Sequence, residues 1–165
     1  MNKISWCKKQ KNGIKIQEPN NNLSQEYYQN AEESLRVLKS IKETQSNMWL
    51  ATTKYYIEYF AAYSVLMKIG IKCEIHDCTI SLMQFIENEG IVEKGTAKIL
   101  EKDKGLRIDN QYYLKNKLVD IDFDKLSNFL LSIRKSLDQL NKEKIEDLRK
   151  KIVALGYIVR KMLGS

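Results

Sequence analysis

The sequence predicts an all-α fold: an up-and-down helical bundle of four to five helices, with an irregular N-terminal arm and an extra C-terminal amphipathic helix. Three observations carry this expectation. The stretch from Trp49 to Ile69 is apolar almost all round, with Tyr and Ala closely interleaved, and such a helix belongs at the centre of a bundle. One Pro and seven Gly in 165 residues supply little material for the many tight turns of a β fold. Most of the remaining chain repeats its apolar residues at steps of three and four.

Residues 1–22 read as a basic arm, with Lys3, Lys8, Lys9, Lys11 and Lys15 around Trp6, Ile14 and Ile16, closing at Pro19 and an Asn triplet. The bundle is expected over 23–141. Ser24 suits the N-cap of a first helix running to about Thr44, with Tyr27, Ala31, Leu35, Leu38 and Ile41 on one stripe. A second helix of matching length is predicted from Asn47 to a stop at Gly70. The short connection makes the two an antiparallel hairpin.

A third helix starts near His76 or Asp77 and stops before Gly90. A fourth is predicted from Val92 to Lys104, disturbed at Gly105 and resuming after a kink over Arg107–Leu114. Asp124 is the expected cap of a fifth helix carrying Leu126, Phe129, Leu130, Ile133, Leu137 and Leu140. The last segment, 142–165, is amphipathic over Lys142–Leu163, with Ile145, Leu148, Ile152 and Leu155 on one side. Arg149, Lys150, Lys151, Arg160 and Lys161 make it basic.

A formal charge of +7 favours an anionic partner such as RNA, a nucleotide or an acidic protein. Three scattered Cys at 7, 73 and 78 do not make a disulfide framework. The N-terminus lacks a signal-peptide core, and Glu58 and Lys68 interrupt the longest apolar run. The expectation is a cytoplasmic protein with reduced thiols and no membrane contact.

His76, the single His of the chain, stands with Lys72 and Asp77 at a helix start, where it can contact phosphate or move a proton. The plainer reading is a His that fixes the turn after Gly70. Cys73, His76 and Cys78 are soft ligands, but their spacing fits no zinc pattern, so no metal is expected. Arg107, Asp109, Tyr112 and Tyr113 form a second constellation. Arg107 can hold a phosphate while a Tyr stacks on a base, or it can pair with a carboxylate while the rings close the bundle end. Tyr55, Tyr56, Tyr59 and Tyr63 can line a pocket, with the Tyr59 hydroxyl able to reach a cleft or a dimer seam, but Tyr56, Phe60, Tyr63 and Met67 follow helical spacing and favour core or dimer packing. Lys8, Lys9 and Lys11, or Arg149, Lys150 and Lys151, would engage phosphates without sequence specificity, unless they are merely solvated faces.

A long hairpin with a Tyr/Ala-rich second helix, Gly70, a turn with His, and an Arg followed by Tyr resembles the HEPN domain family. The residues that carry the likeness are YYIEYFAAYSVLMKIGIKCEIHDCTI (Tyr55–Ile80) and RIDNQYYL (Arg107–Leu114). The resemblance covers about residues 24 to 140, and the opening of the chain is similar to one subgroup of small prokaryotic members. It implies a helical bundle that is usually dimeric and often paired with a nucleotidyltransferase-like protein in a toxin–antitoxin or stress and defence pair. It also implies, for many members, a metal-independent ribonuclease built on an Arg-x4–6-His motif.

This chain departs from that motif. Arg107 is followed at the corresponding distances by Tyr112 and Tyr113, and a Tyr of ordinary pKa near 10 is a poor proton shuttle at neutrality. The expectation is therefore a homodimeric binding or regulatory protein without a cofactor. Its phosphate contacts to RNA or a nucleotide would come from Lys72, His76, Arg107, Tyr112, Lys8, Lys9 and Lys11. The alternatives are a ribonuclease with an altered site, using His76 as acid/base and Arg107 as charge stabiliser, and a nucleotide- or RNA-binding module without chemistry.

Overall fold

The structure is a computed structural model that describes residues 3–155. Arg160, Lys161 and the end of the amphipathic segment expected to run to Leu163 lie outside the described residues. The fold is all-α, with seven helices and one two-stranded ribbon among the described residues.

Two long helices, α2 (Asn21–Glu43) and α3 (Asn47–Ile69), form the expected antiparallel hairpin. Ser46 caps α3 through its hydroxyl, and Gly70 ends it in the left-handed region at φ 83°. Only Gly takes this conformation without strain. A side chain at Gly70 would also collide with the Arg149 guanidinium and the Gln17 carbonyl. The helix is buried on nearly every face, Ala61, Ala62, Val65 and Leu66 being wholly enclosed. α2, α5 (Thr96–Gln111), α6 (Phe123–Gln139) and α7 (Lys142–Ala154) all pack around it. Each of its enclosed large apolar side chains contributes about 1.5–3 kcal/mol by leaving water.

α4 (His76–Asn88) packs on α5, burying Ile80, Leu82, Met83 and Ile86. The Tyr28 hydroxyl donates to the Leu130 carbonyl at 2.8 Å, tying α2 to α6. No helix of the described residues is long and apolar enough to cross a membrane.

Several expectations are corrected. Much of the arm is ordered structure: α1 (Lys3–Lys9) and β1 (Lys15–Ile16) replace the irregular segment. Ile4, Cys7 and Ile14 are buried, so tertiary burial stabilises a helix too short to form alone. β1 pairs antiparallel with β2 (Ile71–Lys72), Lys15 opposite Lys72. Cys7 and Cys78 are joined in a disulfide that ties α1 to α4, leaving Cys73 as the free buried thiol. The expectation of three reduced thiols therefore fails for two of them.

α2 starts three residues before Ser24. Asn20 is its cap, accepting from Leu23 N at 2.9 Å, and Ser24 lies buried inside the helix. Likewise Asp122, not Asp124, caps α6 by accepting from Lys125 N at 3.0 Å. α5 starts at Thr96 rather than Val92, because Gly90 and Gly95 hold positive φ before it. It then runs through Gly105 to Gln111 as one helix. Continuous packing on α3 and α4 outweighs the ~1 kcal/mol that a mid-helix Gly costs.

Candidate functional site

The middle of α3 presents Tyr55 and Tyr59 one turn apart, with Tyr56 beside them. This spacing puts three phenol rings on one side of the helix. Against that side stand the first residue of α4, His76, and Arg107 from the last turns of α5. Gly70 and the Ile71–Lys72 strand end α3 and turn the chain back, which places the start of α4 beside the middle of α3.

The His76 ring stacks on Tyr59 with centroids 4.4 Å apart and an interplanar angle of 22°. Its Nδ1 lies 2.6 Å from the Tyr55 hydroxyl. Burial holds both phenols well above their usual pKa, so neither ionises near neutrality, and the Tyr55 oxygen accepts from Nδ1 in one imidazole tautomer and donates to it in the other. Nε2 has no hydrogen-bond partner among the described residues. Burial, then the positive charges of Arg107 and Lys104, lower the His76 pKa from its ordinary value, with Asp77 opposing. The imidazole is thus held neutral near neutrality, the form that accepts a proton.

Arg107 is only 8% exposed. Its Nη1 donates to the Tyr56 hydroxyl at 3.1 Å. The guanidinium carbon lies 4.9 Å from the Tyr55 ring centre, 5.4 Å from Tyr56 and 6.0 Å from Tyr112, a cage that stabilises a cation through the ring faces. Its Nε is buried without a hydrogen-bond partner among the described residues. Arg107 makes no salt bridge among the described residues, and Asp109 is occupied by Lys115 and Lys117. The reading in which Arg107 pairs with a carboxylate is therefore corrected. Lys104 completes the positive side of the site, bonded to Asp77 and, at 3.1 Å, to Glu101.

Searches among family models, curated proteins and solved structures find no match to this chain. The site must be read from its own chemistry.

His76, Arg107 and Tyr112 are brought together; the lysines are not. Lys72 lies on the ribbon, paired to Glu74 at 2.8 Å. Lys8 is half-buried and donates to the Ile152 and Val153 carbonyls at the end of α7, so its expected phosphate contact gives way to a structural one. Arg149 is also diverted, donating to the Gln17, Ile69 and Gly70 carbonyls. Lys9 and Lys11 are exposed on and just after α1. The Cys73–His76–Cys78 set cannot hold a metal with Cys78 bonded to Cys7.

The sequence pattern favoured core or dimer packing for Tyr55, Tyr56 and Tyr59, with a cleft open to Tyr59, and nothing in it singled out Lys104. Tyr55 and Tyr59 are buried, as core packing requires, and they also contact His76 and, for Tyr55, Arg107. The signal available was the i, i+4 pairing of Tyr55 and Tyr59 on a helix with few other polar atoms.

Proposed function

We propose that this chain is a metal-independent ribonuclease of the HEPN type with an altered site, in which His76 moves the proton and Arg107 holds the developing charge. One observation carries the reading: the imidazole and a guanidinium with no ion pair among the described residues meet around the same tyrosine pair. The departure from the family's Arg-x4–6-His spacing had favoured a binding role. The meeting of the two residues in space supports the catalytic reading.

The chemistry follows from these groups. In the tautomer whose Nδ1–H donates to the Tyr55 oxygen, His76 Nε2 takes the proton of an RNA 2′-hydroxyl, and the 2′-oxygen attacks the adjacent phosphorus. Negative charge grows on the phosphorane oxygens, where the positive charge of the Arg107 guanidinium stabilises it. The 5′-oxygen leaves with the proton returned from the imidazolium. The products are a 2′,3′-cyclic phosphate and a 5′-hydroxyl. Tyr55, through Nδ1, and Tyr59, by stacking, hold the ring in place.

The test is cleavage of a mixed RNA pool by purified, chelator-treated protein, comparing the parent with His76→Ala and Arg107→Ala. Loss of a proton-transfer group costs roughly 10²–10⁴-fold in rate, and loss of a charge-stabilising donor roughly 10²–10³-fold. Activity that both variants keep, in folded protein, would sink the proposal.

A second reading is supported by a different feature. Tyr112, Tyr113, Leu114 and Leu118 are 64, 67, 76 and 88% exposed, beside the site and on a strap held by Asn110 and Asn47. An exposed apolar group of this kind suits a protein contact. It supports a dimeric regulatory protein that meets a nucleotidyltransferase-like partner. Absence of cleavage in all three proteins would favour it.

A further inference from the structure

A cavity of about 660 Å³ lies apart from His76, between α3, α5, α6 and the 117–122 strap. Its apolar wall is made by Ile99, Leu106, Leu118, Leu126 and Phe129. Among its lining residues are Glu58 of α3 and Asp103 of α5, only 2% and 3% exposed. Lys54 Nζ sits 3.2 Å from Asp103 Oδ2. Apart from a proton that the two carboxyl groups share, Glu58 Oε2 and Asp103 Oδ1 have no hydrogen-bond partner among the described residues.

We propose that this cavity binds an organic cation, a primary ammonium on an apolar stem, with its N–H donors directed to Glu58 and Asp103. The volume falls within the range of small-molecule sites, and an apolar wall with a few convergent polar groups is their usual make-up. Two buried carboxyl groups side by side call for hydrogen-bond donors, and Lys54 supplies them on one side of Asp103 alone. Six carboxyl side chains and four lysines line the cavity, an acidic excess in a chain of charge +7.

In the absence of a ligand, burial and the neighbouring Asp103 raise the Glu58 pKa well above the usual carboxylate range, with Lys54 and Lys102 opposing. A proton held by Glu58 then closes the pair by donating to Asp103. An entering ammonium replaces that proton, so the charge of the cavity is conserved and binding releases one proton. Of the other charged groups that face the cavity, Lys117 is engaged by Asp109 and Lys125 by Asp122, while Asp120 has no ion pair among the described residues.

The experiment is calorimetric titration of the whole protein with n-pentylamine and with 1-pentanol, which share a stem and differ in charge, in two buffers of different protonation enthalpy. The expected result is binding of the amine at least tenfold tighter than the alcohol, with proton release. Glu58→Gln and Asp103→Asn should each weaken amine binding at least tenfold with the fold retained, shown by circular dichroism. His76→Ala should leave it unchanged, which separates this cavity from the ribonuclease site. Equal binding of amine and alcohol, no amine binding, or tight binding kept by folded Glu58→Gln would overturn the proposal, leaving a carboxyl pair that holds a proton only.

Discussion

The Tyr55 hydroxyl and His76 Nδ1 lie 2.6 Å apart, joining the middle of α3 to the first residue of α4. That contact orients the single imidazole of the chain against a buried guanidinium. It also makes the site easy to follow, because one His gives one unambiguous set of NMR signals.

His76 should titrate below the ordinary His value of about 6.5. Arg107→Met removes one of the two positive charges that depress it, so the midpoint should rise. Because the folded state disfavours the proton, the unfolded chain binds more protons between the two midpoints. The stabilisation is present above the unfolded value and is lost as pH falls through the folded one. Imidazole chemical shifts against pH measure this, and an Arg107→Met midpoint equal to the parent's would contradict the contact.

Reduction of the Cys7–Cys78 disulfide should destabilise the fold. The bridge closes a sequence separation of 71 residues, for which chain entropy gives a stabilisation of about 4 kcal/mol. Thermal unfolding with and without a dithiol checks this. The Cys7→Ser/Cys78→Ser double variant should match the reduced parent and no longer respond to reductant.

Gly70→Ala should cost about 2 kcal/mol or more. Left-handed backbone alone costs a side chain roughly 1–2 kcal/mol, and here the added methyl also meets Arg149 and the Gln17 carbonyl. Urea unfolding should show a lower midpoint at unchanged slope. Arg149→Ala in the same background should recover part of the loss by clearing space.

Glu58→Gln should flatten the pH dependence of stability on the neutral side. Glu58 has a folded pKa raised well above its usual value, chiefly by burial. Its contribution is complete below the unfolded value and is lost as pH rises towards the folded one. Gln keeps the shape and an N–H donor but does not titrate. Urea midpoints from pH 4 to pH 8, in steps, should fall for the parent and stay nearer level for the variant.

Much of the fold was legible in local pattern. The all-round apolarity of Trp49–Ile69, the stop at Gly70 and the start at His76 each depend on residues within a turn or two of one another. The bounds of α3 and α4 follow from them. Caps were less legible, since Ser24 and Asp124 are as good by composition as Asn20 and Asp122. What chooses between them is the geometry of the preceding turn. The short helix α1 was not legible, because its burial against α4 stabilises it and its own sequence does not.

The candidate site divides in the same way. Residue types marked His76, Arg107 and Tyr112 as chemically capable, and local apolar periodicity was enough to set the bundle in which they sit. Only the tertiary structure decided that His76 meets Tyr55 and Tyr59, that Arg107 meets Tyr56 without a carboxylate, that Lys8 turns to the end of α7, and that Cys7 finds Cys78. The physical reason is range. Helix periodicity is written in steps of three and four residues. Which faces of separate helices meet depends on packing across tens of residues, and that packing also sets the burial that shifts His76 and Glu58 from their ordinary protonation.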